Sequence, residues 1–188
     1  MRLVEKICGP VGWEALLPGT RVEKLFKKEA GPMEEQEFTG YVREYADAVY
    51  RVAFHACKNP ADSQDIVQNV FLRLYRASPA FESQEHARRW LLRVAVNESK
   101  RLVCSPWFHR HVPLEEYAQS LGMESPQETG LFQAVMALPK KYRVPLYLYY
   151  YEGYPVKEVA ALCGLKESTA QTRLQRARER LKKELSDD

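Results

Sequence analysis

The stretch VKEVAALCGLKESTAQTRLQRARERLKK, Val156 to Lys183, constrains the fold of this chain most, because it contains two helical patterns separated by one glycine. Apolar residues three and four positions apart predict one buried face on each helix. They are Val156, Val159, Ala160 and Leu162 in the first helix and Ala170, Leu174, Ala177 and Leu181 in the second. Gly164 can adopt the positive φ that ends a helix. The stretch therefore predicts a helix-turn-helix.

The second of these helices turns a polar side away from its apolar stripe. Hydroxyl and amide side chains come first and cations follow, and the residues that we expect to meet DNA are Ser168, Gln171, Thr172, Gln175, Arg176 and Lys183. Recognition helices use their N-terminal half on base edges and basic residues on phosphates. A solvated helix is the alternative, but from Lys166 to Lys183 only two glutamates oppose seven basic residues. This imbalance favours DNA binding.

Another helix start lies upstream, in NPADSQDIVQNVFLRLYR. Asn59 can cap the helix, Pro60 suits its first position, and Asp62 suits the positive end of its dipole. The predicted core face consists of Ile66, Val67, Val70, Phe71 and Leu74, and the opposite face carries Asp65, Gln68, Asn69, Leu72 and Arg76. A solvated surface is the ordinary interpretation of that second face. Leu72 at its centre indicates instead a docking patch for another protein.

The following helix is predicted from Gln84 to about Cys104. Its apolar stripe consists of Ala87, Leu91, Val94, Ala95 and Leu102, with Trp90 at the border. Its basic side carries Arg89, Arg93, Asn97 and Lys100. Cations for phosphate beside a ring for stacking suit a nucleic-acid binder, although many exposed helices look the same.

Stretches rich in proline and glycine interrupt the helical patterns. We interpret residues 1–32 as an irregular extension and the stretch from Ser105 to Pro126 as an interdomain linker. A buried helix is predicted around Leu138, Tyr142, Leu146 and Tyr149, although Pro145 lies inside it. Alternating strand patterns are scarce. The expected fold is all-α, with two small helical domains joined by a flexible linker, the C-terminal one a helix-turn-helix.

Composition excludes several classes of protein. The 188 residues are 45% hydrophobic and 28% charged, which suits one domain or two small ones. No run of about 18 uncharged apolar residues occurs and no secretory signal is evident, so we expect a cytoplasmic protein without membrane insertion. The net charge of +3 is too small to indicate a nucleic-acid partner by itself.

Catalytic and metal-binding signals are weak. The four cysteines have no paired spacing, which predicts free, buried thiols: Cys8, Cys57, Cys104 and Cys163. A zinc site could be assembled only from residues without the spacing of a familiar zinc motif: His55, Cys57, Cys104, His109 and His111. No ordered Ser/His/Asp set, phosphate loop or carboxylate pair is visible. We expect no metal, no cofactor and no enzymatic activity, and a metal-dependent enzyme or redox protein is the least favoured alternative.

Four segments, in their order and spacing, resemble the small extracytoplasmic-function (ECF) group of sigma factors of bacterial RNA polymerase. They are DSQDIVQNVFLRLYR, RRWLLRVAVNESKRL, ALPKKYRVPLYLYYYEGYPVKEVAALCGL and ESTAQTRLQRARERLKK. The resemblance covers about Glu37 to Lys183, and the set is specific although each segment alone is not. It implies an initiation subunit whose partners are core RNA polymerase, promoter DNA and an anti-sigma protein.

The resemblance also implies domain bounds and residue roles. Sigma region 2 would span 33–108, the linker 109–127, and the region 4 helix-turn-helix 128–188. The face around Leu72 would dock on the polymerase clamp helices, and the basic side from Arg89 to Lys100 would engage the minus-ten element. The SPAFESQE loop would hold a base flipped from the opened strand, and the second helix of the helix-turn-helix would bind the minus-thirty-five duplex. The main alternative is a stand-alone helix-turn-helix regulator, which would not need an outward Leu72.

Two departures from the family pattern affect the minus-ten region. Val96 stands where many members carry Arg or Asp, and Lys100-Arg101 replaces a common acidic ending. The resemblance therefore leaves the minus-ten preference open.

Overall fold

A computed structural model describes residues 33–103 and 126–186. These residues form seven helices and contain no strand, which confirms the all-α prediction: α1 Glu35–Cys57, α2 Pro60–Ala77, α3 Gln84–Val103, α4 Pro126–Ala137, α5 Lys140–Tyr150, α6 Val156–Cys163 and α7 Glu167–Glu184. The extension at 1–32 and the predicted linker as far as residue 125 lie outside the described residues. Among the helices described, none is long and apolar enough to cross a membrane.

The start of α2 forms as its residue types dictate. Asn59 has an extended backbone, and its side-chain oxygen accepts hydrogen bonds from the amides of Ala61 (2.9 Å) and Asp62 (3.3 Å). Pro60 occupies the first helical position, where an N–H group would have no acceptor within the helix, so its missing N–H costs no hydrogen bond. The core face is buried through Ile66, Val70, Phe71 and Leu74. The predicted cap of α2 is confirmed, and so is its core face, except that Val67 is only half-buried.

Helix α3 is buried over a wider surface than one amphipathic stripe. Ala87, Leu91 and Ala95 are buried as predicted, whereas Val94 and Leu102 are half-buried. Leu92, Val96 and Ser99 are also buried, although the predicted stripe did not include them. The additional face is covered because α3 packs against α1 and α2 on one side and against α6 on another.

Helix α5 carries the aromatic segment that the spacing assigned to a buried helix. Leu138 just before it and Tyr142 and Leu146 within it are buried, while Tyr149 is half-buried. Pro145 lies inside the helix. A proline at the sixth helical position removes one backbone bond close to the N-terminal end, and the helix continues to Tyr150.

The helix-turn-helix consists of α6 and α7. Gly164 has φ +63°, the left-handed conformation that favours glycine, and the amide of Leu165 donates to the carbonyl of Ala160 at 2.8 Å. On α7, Ala170, Leu174 and Ala177 are buried and Leu181 is half-buried. The predicted turn and the stripe of the second helix are confirmed.

The N-terminal module (α1–α3) and the C-terminal module (α4–α7) share one hydrophobic core. Helix α5 packs against α1, and α6 packs against α3. The cluster that contains Val49, Val52, Leu92 and Val96 also contains Val144, Leu148, Val159 and Leu162. Two domains on a linker were expected from the sequence, but nothing in the sequence predicted this packing between them.

Arg143 on α5 is a buried side chain that hydrogen-bonds to both modules. It is 2% exposed. Its Nη1 donates to the carbonyls of Met136 (3.1 Å) and Leu138 (2.5 Å), and its Nε donates to the carbonyl of His55 near the end of α1. Burial lowers the pKa of Arg143 to about 10, so the guanidinium stays charged at neutral pH.

The ring of His55 lies at the same junction. It stacks on Tyr147 with the ring centroids 4.3 Å apart, and its Nδ1 is buried without a hydrogen-bond partner among the described residues. Burial, with the charges of Arg143 and Arg51 nearby, lowers the pKa of His55 to about 3. The imidazole is therefore neutral in the folded chain at neutral pH.

Candidate nucleic-acid interface

The polar side of α7 is open to solvent. All six residues predicted to meet DNA are exposed: Ser168, Gln171, Thr172, Gln175, Arg176 and Lys183. The hydroxyl of Thr172 donates to the carbonyl of Ser168 at 2.8 Å, which leaves its oxygen to accept a bond. The side-chain amide of Gln175 donates to Glu179 at 2.9 Å. These side chains stand on a helix whose opposite face is fixed in the core, as groove recognition requires.

A cleft of about 350 Å³ lies between the start of α5 and the first half of α7. Its lining residues are Lys141, Tyr142, Ser168, Thr169, Thr172, Arg173 and Arg176. Three of them carry a positive charge, and three residues of α7 carry an aliphatic hydroxyl near its N-terminal end. This chemistry suits a phosphate, because cations, hydroxyl donors and a helix N-terminus all stabilise an anion.

Cationic side chains surround Tyr142 in this cleft and lower its pKa. Lys141 Nζ lies 5.1 Å and Arg180 Cζ 5.3 Å from the centroid of its ring. Burial would raise the pKa of Tyr142, but a hydrogen bond with Arg176 and the charges of Lys141 and Arg180 lower it overall. Neither Lys141 nor Tyr142 was predicted to belong to the DNA-binding surface, because both lie on another helix and only the fold brings them beside α7.

The basic side of α3 is divided between solvent and the C-terminal module. Arg93 and Asn97 are exposed. Arg89 Nη1 lies 3.5 Å from a carboxylate oxygen of Glu158 on α6, and it also pairs with Glu85 on its own helix (3.8 Å). Lys100 Nζ donates to the carbonyl of Cys163 at the end of α6 (2.6 Å). Two of the four predicted residues therefore contact the helix-turn-helix.

A further cation of α3 reaches the C-terminal module. Arg88 Nη2 lies 2.5 Å from a carboxylate oxygen of Glu152, whose side chain is 5% exposed. The other oxygen of that carboxylate accepts a hydrogen bond from the hydroxyl of Tyr147 at 2.6 Å. The guanidinium of Arg88 also lies over the ring of Tyr154 at 5.3 Å. The spacing pattern did not single out Arg88, because its partners lie about 60 residues away in the chain.

The residues of the predicted docking face of α2 differ in exposure. Asp65 and Arg76 are exposed, and Gln68, Asn69 and Leu72 are half-buried. Leu72 is therefore less open than its position among polar residues indicated. It still reaches the surface opposite to the buried face of α2.

Aromatic rings gather beside the loop before α3. The ring of Phe81 lies 5.5 Å from Tyr41, 5.5 Å from His86 and 5.9 Å from Trp90, all in edge-on arrangements. Phe81, Tyr41 and Trp90 are half-buried, so the cluster lies at the surface. Exposed aromatic faces beside cations can stack on an unpaired base. The loop that we assigned to a flipped base thus contains a half-buried aromatic ring, that of Phe81.

The two cations at the end of α3, Lys100 and Arg101, have different partners in the structure. Glu98 is 4% exposed and pairs with Arg73 of α2 (2.7 Å) and with Arg101 (2.9 Å). The buried carboxylate of Glu98 thus pairs with Arg101, one of the two cations that replace the common acidic ending, and its pair with Arg73 joins α3 to α2. Lys100 points the other way, toward α6.

Metal chemistry has no support in the described ranges. Residues 33–103 and 126–186 contain no group of three or more His, Cys, Asp and Glu residues that could hold a metal ion. Cys57 and Cys163 are free and buried there. The other members of the imagined zinc set, Cys104, His109 and His111, lie outside the described residues.

Two protein-family models match separate parts of the chain. The model described as "Sigma-70 region 2" matches residues 41–105, which include α2 and α3. The model described as "Sigma-70, region 4" matches residues 130–181, which include the helix-turn-helix.

Individual proteins show the same similarity. The "RNA polymerase sigma-E factor" of Streptomyces coelicolor is 30% identical over 158 residues, which are 79% of this chain and 86% of that protein. The "ECF RNA polymerase sigma factor SigE" of Mycolicibacterium smegmatis is 28% identical over 151 residues, 75% of this chain, and the chain spans 58% of its length. The solved sigma factor RpoE of Bartonella quintana, in complex with the anti-sigma factor NepR, has a TM-score of 0.61 at 18% identity. That likeness covers 81% of this chain and 99% of the RpoE chain, and it shows a common fold.

Proposed function

The chain belongs to the ECF group of RNA polymerase sigma factors, and from this we propose that it binds core RNA polymerase and directs it to promoters. Such a protein is an initiation factor and not an enzyme. Its place of work would be the cytoplasm, where the polymerase acts. The partners are core polymerase, promoter DNA and an anti-sigma protein, the kind of partner named with the structurally similar RpoE.

One observation carries the proposal: a single chain presents two separate surfaces with the chemistry of nucleic-acid binding. The first is the exposed polar side of α7 beside a cationic cleft. The second is the basic side of α3 beside the ring cluster of Phe81. A duplex reader needs cations and base-edge donors on a helix, and a single-strand reader needs cations and rings. The two surfaces match these two tasks.

The residue roles follow from this division. The minus-thirty-five duplex would contact α7 through Ser168, Gln171, Thr172, Gln175, Arg176 and Lys183. The minus-ten element would contact α3 through Arg89, Arg93, Asn97 and Lys100. Core polymerase would dock on α2 through Asp65, Gln68, Asn69, Leu72 and Arg76. Region 2 would span 33–108, a linker 109–127 and region 4 residues 128–188, after an N-terminal extension at 1–32.

The polymerase interface supplies the decisive test. Purified chain is mixed with bacterial core RNA polymerase, and binding is measured for wild type, Leu72→Glu and Leu185→Glu. Leu185 is an exposed leucine beyond the end of α7, which makes it a matched control. We expect Leu72→Glu to lose core binding, because it places a charge in a desolvated contact. Leu185→Glu is expected to bind as wild type does.

A second variant guards against a folding defect, since Leu72 is half-buried. Asp65→Arg reverses an exposed charge on the same face and is expected to weaken core binding with an unchanged circular dichroism spectrum. Duplex DNA affinity is measured on every variant. Unchanged core binding in both α2 variants would refute the assigned interface. Duplex binding without any core binding by the wild type would instead identify a stand-alone helix-turn-helix regulator.

A further inference from the structure

We propose that Tyr142 of α5 is a positioning residue for DNA recognition: its hydroxyl holds the guanidinium of Arg176 in the orientation that α7 presents to the minus-thirty-five duplex. Tyr142 would act through Arg176 and contact no base itself. This role rests on the proposed function, because it assigns a support to a side chain that would read the minus-thirty-five element.

The ring of Tyr142 is fixed by the core of the C-terminal module. It is 4% exposed and belongs to a buried cluster with Leu138, Leu146 and Ala177. Helices α5 and α7 pack against each other at this cluster. The amide of Tyr142 also donates to the carbonyl of Pro139 at 2.9 Å, which anchors its backbone at the start of α5. A side chain held in this way has lost its rotamer freedom on folding, so it can orient a neighbour without further ordering.

The hydroxyl of Tyr142 meets Arg176 at the cleft between α5 and α7. Both residues line this cleft, and a hydrogen bond joins their side chains. Because arginine has donors and no acceptor, the guanidinium donates and the phenolic oxygen accepts. A guanidinium carries more donors than this bond uses, so Arg176 keeps enough for the paired bonds that an arginine makes with guanine. The contact therefore orients the guanidinium and leaves it able to read a base.

The orienting group is uncharged, which distinguishes it from a carboxylate. Among the described residues, no ion pair joins Arg176 to an acid. Glu179, the acid nearest to it along α7, accepts a hydrogen bond from Gln175 at 2.9 Å. A carboxylate would hold the guanidinium and cancel its charge. The hydroxyl of Tyr142 holds it and leaves the whole charge to attract DNA.

Tyr142 contacts a second arginine of the same face. Arg180 follows Arg176 by one helical turn, and its Cζ lies 5.3 Å from the centroid of the Tyr142 ring. Like charges at this spacing repel each other along a helix. The tyrosine places one guanidinium at its hydroxyl and the other over its ring, where the π-system attracts a cation. Two neighbouring arginines of α7 thus have separate places around one fixed side chain.

Tyr142→Phe tests this role, because it removes the hydroxyl and keeps the ring with its packing. Tyr150→Phe is the matched control, since it removes an exposed hydroxyl at the opposite end of the same helix. Arg176→Ala and the double variant Tyr142→Phe/Arg176→Ala complete a double-mutant cycle. Urea unfolding of every full-length variant checks that the fold is kept.

Each variant is assembled with bacterial core RNA polymerase. The wild-type holoenzyme first selects promoter fragments from a library randomised in the minus-thirty-five element. Affinity is then measured for a selected fragment and for all its single-base changes in that element. The free chain is measured with duplexes of the same sequences. The readout is the discrimination at each base position, which is the affinity for the selected base divided by the affinity for the others.

We expect Tyr142→Phe to reduce discrimination about fivefold at the base positions where Arg176→Ala reduces it, since a bidentate arginine supplies about that much or more. Discrimination at other positions should stay within about twofold of Tyr150→Phe. The double variant should discriminate no worse than Arg176→Ala, because the hydroxyl acts only through the arginine. A residue that only stabilised α5 would instead weaken binding to all sequences evenly, and its effect would add to that of Arg176→Ala.

Unchanged discrimination in Tyr142→Phe would overturn the proposal, and so would a double variant whose losses add. Equal loss on every sequence for Arg176→Ala would overturn it too, because Arg176 would then hold phosphate and have no base reading to support. Failure of the wild type to bind core polymerase would reject the proposed function instead. In that case the free chain and the duplexes still decide the role of Tyr142.

Discussion

Replacement of Arg143 tests a buried side chain that hydrogen-bonds within its own module and to the N-terminal module. Arg143→Met removes the guanidinium and keeps an unbranched apolar chain in its place. The three carbonyls that accept from Arg143, those of His55, Met136 and Leu138, then lose a charged donor in a buried setting. The variant thus isolates the hydrogen bonds from the volume of the side chain.

The magnitude follows from those bonds. A hydrogen bond to a charged group contributes roughly 1.5–3 kcal/mol, so the gross loss over three bonds is at least about 4–5 kcal/mol. Removing a buried cation also recovers part of its desolvation cost, which the lowered pKa of Arg143 reflects. We therefore expect a net loss of about 3 kcal/mol in the free energy of unfolding.

Urea unfolding of the full chain, followed by circular dichroism, measures this loss. Arg143→Lys keeps the charge but not the planar fork, so it should lie between wild type and Arg143→Met. Arg43→Met on the exposed side of α1 is the matched control and should change the free energy by less than about 0.5 kcal/mol. A loss below about 1 kcal/mol for Arg143→Met would refute the role given to its hydrogen bonds.

Three further measurements test other parts of the structure. Asn59→Ala should lower the free energy of unfolding by about 1 kcal/mol, because two amides at the start of α2 lose their acceptor, and an unchanged urea midpoint would contradict this. Because the pKa of His55 is lowered to about 3, the unfolded chain takes up a proton between pH 6.5 and 3 while the folded chain does not. As the pH is lowered through this window, the free energy of unfolding should therefore decrease by up to about 1.4 kcal/mol per pH unit, and His55 should contribute no pH dependence above pH 6.5. If wild type and His55→Phe have parallel pH profiles, His55 is not the cause. Arg176→Ala should weaken promoter binding by about 1–3 kcal/mol and relax sequence choice, whereas Lys183→Ala should weaken all sequences evenly and flatten the salt dependence; equal loss on all sequences for Arg176→Ala would assign it to phosphate.

Local chemistry made much of the fold predictable. The cap at Asn59, the first-turn Pro60 and the positive φ at Gly164 depend on neighbours a few positions away in the chain. The same holds for the core stripes of α2 and α7 and for the exposed side of α7, since each depends only on helical period. The sequence alone therefore determined helices α2 and α7, the turn before α7 and the side of α7 that is free to meet DNA.

Long-range packing decided the rest. Helical period identifies which residues share a face, but it does not reveal whether a second element covers another face of the same helix. The burial of Leu92 and Val96, the capture of Lys100 by the end of α6, and the internal position of Arg143 all depend on residues about 50 to 90 positions apart. Only the tertiary structure could show that one half of the chain rests on the basic side of the other, because that contact is formed by two surfaces that each look solvent-facing when taken alone.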